Sequence, residues 1–110
     1  MSIQRCCPEA QIYAVDLSDE AAIFKALGDP ARVAIVATLA RAEHEVCVCD
    51  FTSGLELNQS TVSHHLKILK DARLVTSVRR GTWGYYSLEV DARERIDSAL
   101  GAIFPMKVLA

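Results

Sequence analysis

At 110 residues, 51% of them hydrophobic, and with a formal net charge of −2, the chain is sized for about one domain, large enough for its own core and small enough to gain from burying a second apolar face in a partner. No run approaches the roughly 18 apolar residues of a membrane span, and the polar start MSIQRCC lacks the apolar centre of a secretory signal, so a cytoplasmic protein with no membrane partner is expected. In that reducing compartment the four cysteines, grouped as Cys6-Cys7 and Cys47-x-Cys49, point to thiols, metal ligands or redox switches rather than a disulfide frame.

Residues 1–17 have no clear period and read as an N-terminal arm carrying Cys6, Cys7 and Pro8. Ser18 offers an N-cap for the helix SDEAAIFKAL, with Asp19 and Glu20 where the helix dipole favours negative charge, and Gly28 ends it. Asp29-Pro30 starts a second helix to about Ala42, with Val33, Val36, Ala37 and Ala40 on one face, widened by Ile35 and Leu39. After the polar break RAEHE, Asp50 can cap a short helix ending near Gly54 or Leu55. Asn58 or Ser60 can cap the longer STVSHHLKILKDARL, in which Val62, Leu66 and Leu69 face inward. VTSVRR and YYSL flank GTWG and read as a hairpin. A last helix from near Asp91 carries the stripe Ile96, Ala99, Leu100, Ile103 and Phe104, of the kind that closes a dimer. The expected fold is mainly α with a β-hairpin, one domain over 18–104 followed by a tail, 105–110.

Helix, tight turn, helix and basic hairpin is the order of a winged helix-turn-helix, whose second helix enters the major groove of duplex DNA while the hairpin touches the flanking backbone. The charge distribution agrees with this. Between Asn58 and Tyr86, five basic residues (Lys67, Lys70, Arg73, Arg79, Arg80) face Asp71 alone, a net +4, which leaves −6 for the remainder. Gln59, Ser60, Thr61, Ser63 and His64 are short or medium hydrogen-bonding side chains suited to base edges and phosphates. Lys67, Lys70 and Arg73 follow as phosphate contacts, and Arg79 and Arg80 add the hairpin. His64 and His65 diverge by about 100° on a helix, so they do not share an ion; one faces DNA and the other packs or caps.

The stretches ALGDPARVAIVATL, VCVCDF, QSTVSHHLKILKDARLV and RRGTWGYYSL, in this order over residues 18–100, resemble the arsenic-repressor (ArsR/SmtB) family of metal-responsive transcriptional repressors. The resemblance implies a homodimer with contacts from the first helix, at Ile23, and from the last. It also implies an operator inverted repeat that is released when a metal or metalloid binds. CVCD resembles the thiolate motif of the family's arsenic- and cadmium/lead-responsive members, and Cys6-Cys7 the vicinal pair of some arsenic-responsive ones. The last helix, DARERIDSALGAIF, has no histidine, unlike zinc-, cobalt- and nickel-responsive members that bind there.

Residues i and i+2 of a helix point about 200° apart, so Cys47 and Cys49 share one ion only from an extended lead-in ahead of Asp50, or by distorting the helix start. Two thiolates make an open site. Trivalent arsenic, or antimony, takes three; cadmium, lead or zinc takes three or four; and Cys6 and Cys7 are placed to supply the rest. A thiol redox sensor is a further alternative. An arsenic-sequestering thiol protein would need neither the polar helix face nor the basic hairpin. No phosphate-cradling loop accompanies the cysteines, so no enzyme is expected.

Overall fold

The computed structural model describes residues 7–105, and residues 7–17 lie outside any helix or strand. The elements that follow are α1 (Ser18–Leu27), α2 (Pro30–Arg41), β1 (Val46–Cys47), α3 (Val48–Leu55), α4 (Gln59–Asp71), β2 (Val75–Arg80), β3 (Trp83–Leu88) and α5 (Ala92–Ile103). The order is that of a winged helix-turn-helix, with α3 and α4 as the helix pair and β2–β3 as the wing. Among the described residues no helix is long and apolar enough to cross a membrane.

The helix starts follow from capping chemistry. Asp29 behaves as expected: its Oδ2 accepts from the Ala31 and Arg32 backbone N–H groups at 2.8 and 3.4 Å, and Pro30 takes the first helical position. Asn58, not Ser60, caps α4; its Oδ1 accepts from Thr61 N at 2.8 Å and from Ser60 Oγ at 2.9 Å. Ser18 is the first residue of α1 rather than its cap, and its N–H and hydroxyl both donate to Asp16.

Helix α4 ends in a Schellman turn. Leu74 N donates to Leu69 O and Arg73 N to Lys70 O, with Arg73 in the left-handed region at φ 58°. Leu69 and Leu74, the apolar pair that accompanies this turn, are both fully buried. Arg95 of α5 donates to the Ala72 and Arg73 carbonyls, placing a cation at the negative end of α4 and fixing α5 to it.

The core is built on α2, α4 and the sheet. Ile35, Val62, Leu66, Leu69, Leu74 and Val75 are fully buried, each contributing on the order of 1.5–3 kcal/mol relative to exposure. On α2 the buried residues are Ile35 and Leu39, while Val33 is half exposed and Ala40 exposed. The expected face of Val33, Val36, Ala37 and Ala40 is therefore rotated. PARVAIVATLAR is apolar nearly all round, so its period alone does not fix which stripe turns inward.

The sheet also departs from expectation. Beyond the hairpin, β1 pairs antiparallel with β3 (Val46 opposite Tyr86, Cys47 opposite Tyr85), giving the strand order β1-β3-β2. The hairpin turns through Gly81 and Thr82, with the positive φ of 63° at Gly81 where only glycine adopts it without strain.

Replacing Asn58 by alanine leaves the Thr61 N–H without its side-chain partner, and should destabilise the domain by about 1 kcal/mol in urea unfolding. An unchanged midpoint would mean that water caps α4 equally well.

Candidate metal centre and nucleic-acid interface

Cys47 closes β1 and is also the N-cap of α3. Its backbone is extended (φ −72°, ψ 144°), whereas Cys49 sits in the first helical turn, so the two do not follow one helical spiral. Their sulfurs converge to 2.7 Å, and the Cys49 N–H also points at Cys47 Sγ, 3.4 Å away. The expected cap, Asp50, lies one turn further in, and sulfur takes the place given to its carboxylate. The extended lead-in and the helix start thus each supply one thiol.

The pair is half open. Cys47 is buried and Cys49 exposed, and neither is in a disulfide. The hydrogen bond to Cys47 pushes the Cys49 thiol above its ordinary value, and burial and the neighbouring charges of Cys47 and Asp50 act in the same direction. The Cys49 thiol therefore holds its proton more firmly than an ordinary thiol, and a thiophilic ion must displace it.

The structure brings Cys47 and Cys49 together and, among the described residues, no further ligand to them. Among the described residues there is no group of three or more His, Cys, Asp or Glu side chains placed to hold a metal ion. Cys7 is exposed, and Cys6 lies outside the described residues.

On the exposed side of α4, Gln59, Ser60, Ser63, His64 and Lys67 face solvent, and Thr61 is half-buried. The two histidines divide as expected, His64 outward and His65 inward. Arg32 Nη1 lies 3.1 Å from His65 Nδ1, and Asp29 Oδ2 lies 3.8 Å from His65 Nε2. A guanidinium only donates, so Nδ1 accepts and the ring proton sits on Nε2, toward Asp29. Burial works to raise the Asp29 carboxyl, but the Ala31 and Arg32 N–H groups, with the Arg32 charge and the His65 ring alongside, hold it below the ordinary carboxylate value. This network fixes the first turn of α2 against the middle of α4.

Three of the five basic side chains, Lys67, Lys70 and Arg80, are engaged within the chain. Lys67 pairs with Asp71 at 3.0 Å, and Lys70 Nζ donates to Ser77 Oγ at 2.8 Å, tying α4 to the wing. Arg80 forms an ion pair with Glu45 and lies 5.2 Å from the centre of the Tyr85 ring, while Arg79 is exposed on the same strand. Arg73, expected as a phosphate contact, is the left-handed residue of the α4 terminus. Glu45 and the Asp29–Arg32–His65 network carry no signal in the linear pattern; their partners are brought together only by the fold.

The apolar dimer set also divides. Ile23 and Ala99 are buried within the chain, where α1 packs on α5, and Ile96 packs against the core. Leu100, Ile103 and Phe104 remain 44%, 46% and 65% exposed.

The family model for bacterial regulatory proteins of the arsR family matches residues 29–77, from the cap of α2 into β2. An arsenical resistance operon repressor of Bacillus subtilis is 49% identical over 65 residues, 59% of this chain and 61% of that protein, so the chain spans about three fifths of this relative's length. An arsenical resistance operon repressor of Staphylococcus xylosus is 36% identical over 81 residues, 74% of this chain and 76% of that one. Among solved structures, the homodimeric winged helix-turn-helix DNA-binding domain of a possible ArsR-family transcriptional regulator from Mycobacterium bovis superposes with a TM-score of 0.63 at 29% identity, covering 79% of each chain.

Because a proton must leave the sulfur pair, the apparent affinity of Cys47 and Cys49 for a thiophilic ion should rise with pH towards and through the ordinary thiol range. Calorimetry in buffers of different ionisation enthalpy should register proton release. Affinity independent of pH and buffer would place the binding elsewhere.

Proposed function

Because the chain belongs to the arsR family of bacterial regulatory proteins, we propose that it is a non-enzymatic, homodimeric repressor that acts in the cytoplasm and releases double-stranded operator DNA when trivalent arsenic, or antimony, binds its cysteine thiolates. Residues 18–104 form the DNA-binding and dimerisation domain, 1–17 the arm that carries Cys6 and Cys7, and 105–110 a tail. The observation that carries the reading is the convergence of Cys47 and Cys49 at the junction of the sheet and the helix-turn-helix.

The residues divide the work as follows. Gln59, Ser60, Thr61, Ser63 and His64 read base edges from α4; Lys67, Arg79 and Arg80 meet phosphates. Leu100, Ile103 and Phe104 supply exposed apolar surface for the second subunit, over the α1–α5 contact made by Ile23, Ile96 and Ala99. Trivalent arsenic takes three thiolates in a pyramid, one more than the converged pair offers, and Cys6 or Cys7 completes the set. Turning the Cys47 sulfur outward withdraws it from the Cys49 N–H, loosening the start of α3 and the end of β1 together. Cadmium, lead or zinc on the same thiolates is the second reading, since soft ligands suit those ions as well.

An anisotropy titration with operator DNA from upstream of the chain's own gene tests this. Arsenite and antimonite should release the DNA at lower concentration than cadmium, lead or zinc; the reverse order would favour the second reading. Cys47→Ser or Cys49→Ser should keep operator affinity nearly unchanged and abolish release, as should Cys6→Ser combined with Cys7→Ser. Release of the arm variant at wild-type arsenite concentrations would confine the site to the CVC segment.

The reading role of α4 has its own check. Ser63→Ala or His64→Ala should weaken operator binding much more than binding to random duplex. Equal loss on both would mean that these side chains do not read bases.

A further inference from the structure

We propose that Glu45 is an internal competitor of the DNA phosphate for Arg80: a carboxylate latch that occupies the wing arginine in the DNA-free chain. The proposal rests on the reading of β2–β3 as a DNA-contacting wing and adds a regulator to it.

Three observations place the latch. The Glu45 carboxylate pairs with Arg80 Nη1, with the two side chains 30% and 58% exposed, so the pair sits at the surface where a phosphate can reach it. The guanidinium lies 5.2 Å from the centre of the Tyr85 ring, which gives it a platform facing Glu45. Glu45 is anchored by the next two residues, since Val46 pairs with Tyr86 and Cys47 with Tyr85, the ring beneath the arginine. The latch therefore spans the whole sheet, from the residue before β1, over β3, to the last residue of β2.

The other basic partners differ in kind. Asp71 is four residues from Lys67 on the same helix, and Ser77 offers Lys70 only a neutral hydroxyl. Of these partners, only Glu45 brings a negative charge to the wing, from the residue just before the strand that ends in Cys47. A carboxylate and a phosphate compete for the same donor face of the guanidinium, so Arg80 must leave one to hold the other. An exposed ion pair is weak, so the latch lowers the contribution of Arg80 rather than blocking it.

The test is the salt dependence of operator affinity for the metal-free full chain, Glu45→Gln, Arg80→Ala and the double variant, with thermal unfolding as a check on folding. Removing the carboxylate charge frees Arg80 for a full phosphate contact. Glu45→Gln should therefore tighten binding by about twofold to fivefold near 0.1 M salt and steepen the slope of log K against log salt by a part of the roughly 0.9 that one whole phosphate contact contributes. In the Arg80→Ala background the same change should do nothing. Unchanged affinity and slope in Glu45→Gln would overturn the latch. So would equal tightening with and without Arg80, which would mean that Glu45 acts only as a general negative charge. A wild-type chain that binds no duplex would overturn the DNA-binding reading and the latch with it.

Discussion

Cys47 ends a strand and caps a helix, and the arrangement of the site depends on that double position. It lies opposite Tyr85 across the β1–β3 pair, and its sulfur faces the first turn of α3. A carboxylate or hydroxyl in that cap would hold the helix start more firmly, because sulfur is a weak acceptor. The chain thus has a soft cap where a firm one is the common solution, and this leaves the sulfur available to a thiophilic ion. Whatever draws on Cys47 acts at once on the wing strand beside it and on the helix that precedes α4.

The electrostatics have a similar economy. The basic charge between Asn58 and Tyr86 stands out from an otherwise acidic chain, yet Lys67, Lys70 and Arg80 each already have a partner in the folded protein. Exposed pairs of this kind are cheap to break, so they order the side chains without locking them away from a duplex. The partly buried contacts are of another type. Arg95 on the α4 carbonyls and His65 between Arg32 and Asp29 hold α4 from its end and its middle, and this fixes its direction relative to the wing.

The order of the helices, the helix pair, the hairpin and the cap at Asp29 were legible in the sequence, with Asn58 one of two candidate caps for α4, because each rests on local chemistry within a few residues. Features set by distant partners were not. β1 is two residues long and has no period of its own, so nothing marks it until β3 lies beside it. The inward face of α2 is undetermined in a helix that is apolar nearly all round. Arg73 occupies a left-handed position that favours glycine or asparagine, and is held there by the Schellman bonds and Arg95. Asp50 can cap α3 by the usual carboxylate chemistry, but the cysteine three residues earlier takes the role instead. Cys47 and Cys49 were legible as a pair, but their geometry was not.

That geometry also bounds what an inducer can accomplish. An ion that binds the thiolates equally well in the DNA-bound and free chain releases nothing, however tightly it binds. The differential has to come from strain that one state relieves. The sulfur pair is placed for this, because an ion that demands a different Cys47–Cys49 arrangement works against the α3 cap and the β1–β3 pairing, both of which position the DNA-reading elements. By linkage, a duplex that holds α4 and the wing in place resists the same rearrangement, and so weakens the thiolates' hold on the ion by an equal factor. A ligand supplied from the N-terminal arm adds affinity without adding to that differential unless it too favours one state. On the proposed reading the coupling runs through Cys47 and Cys49, and the arm thiols take part in it where the ion needs them to complete its coordination in the DNA-free state.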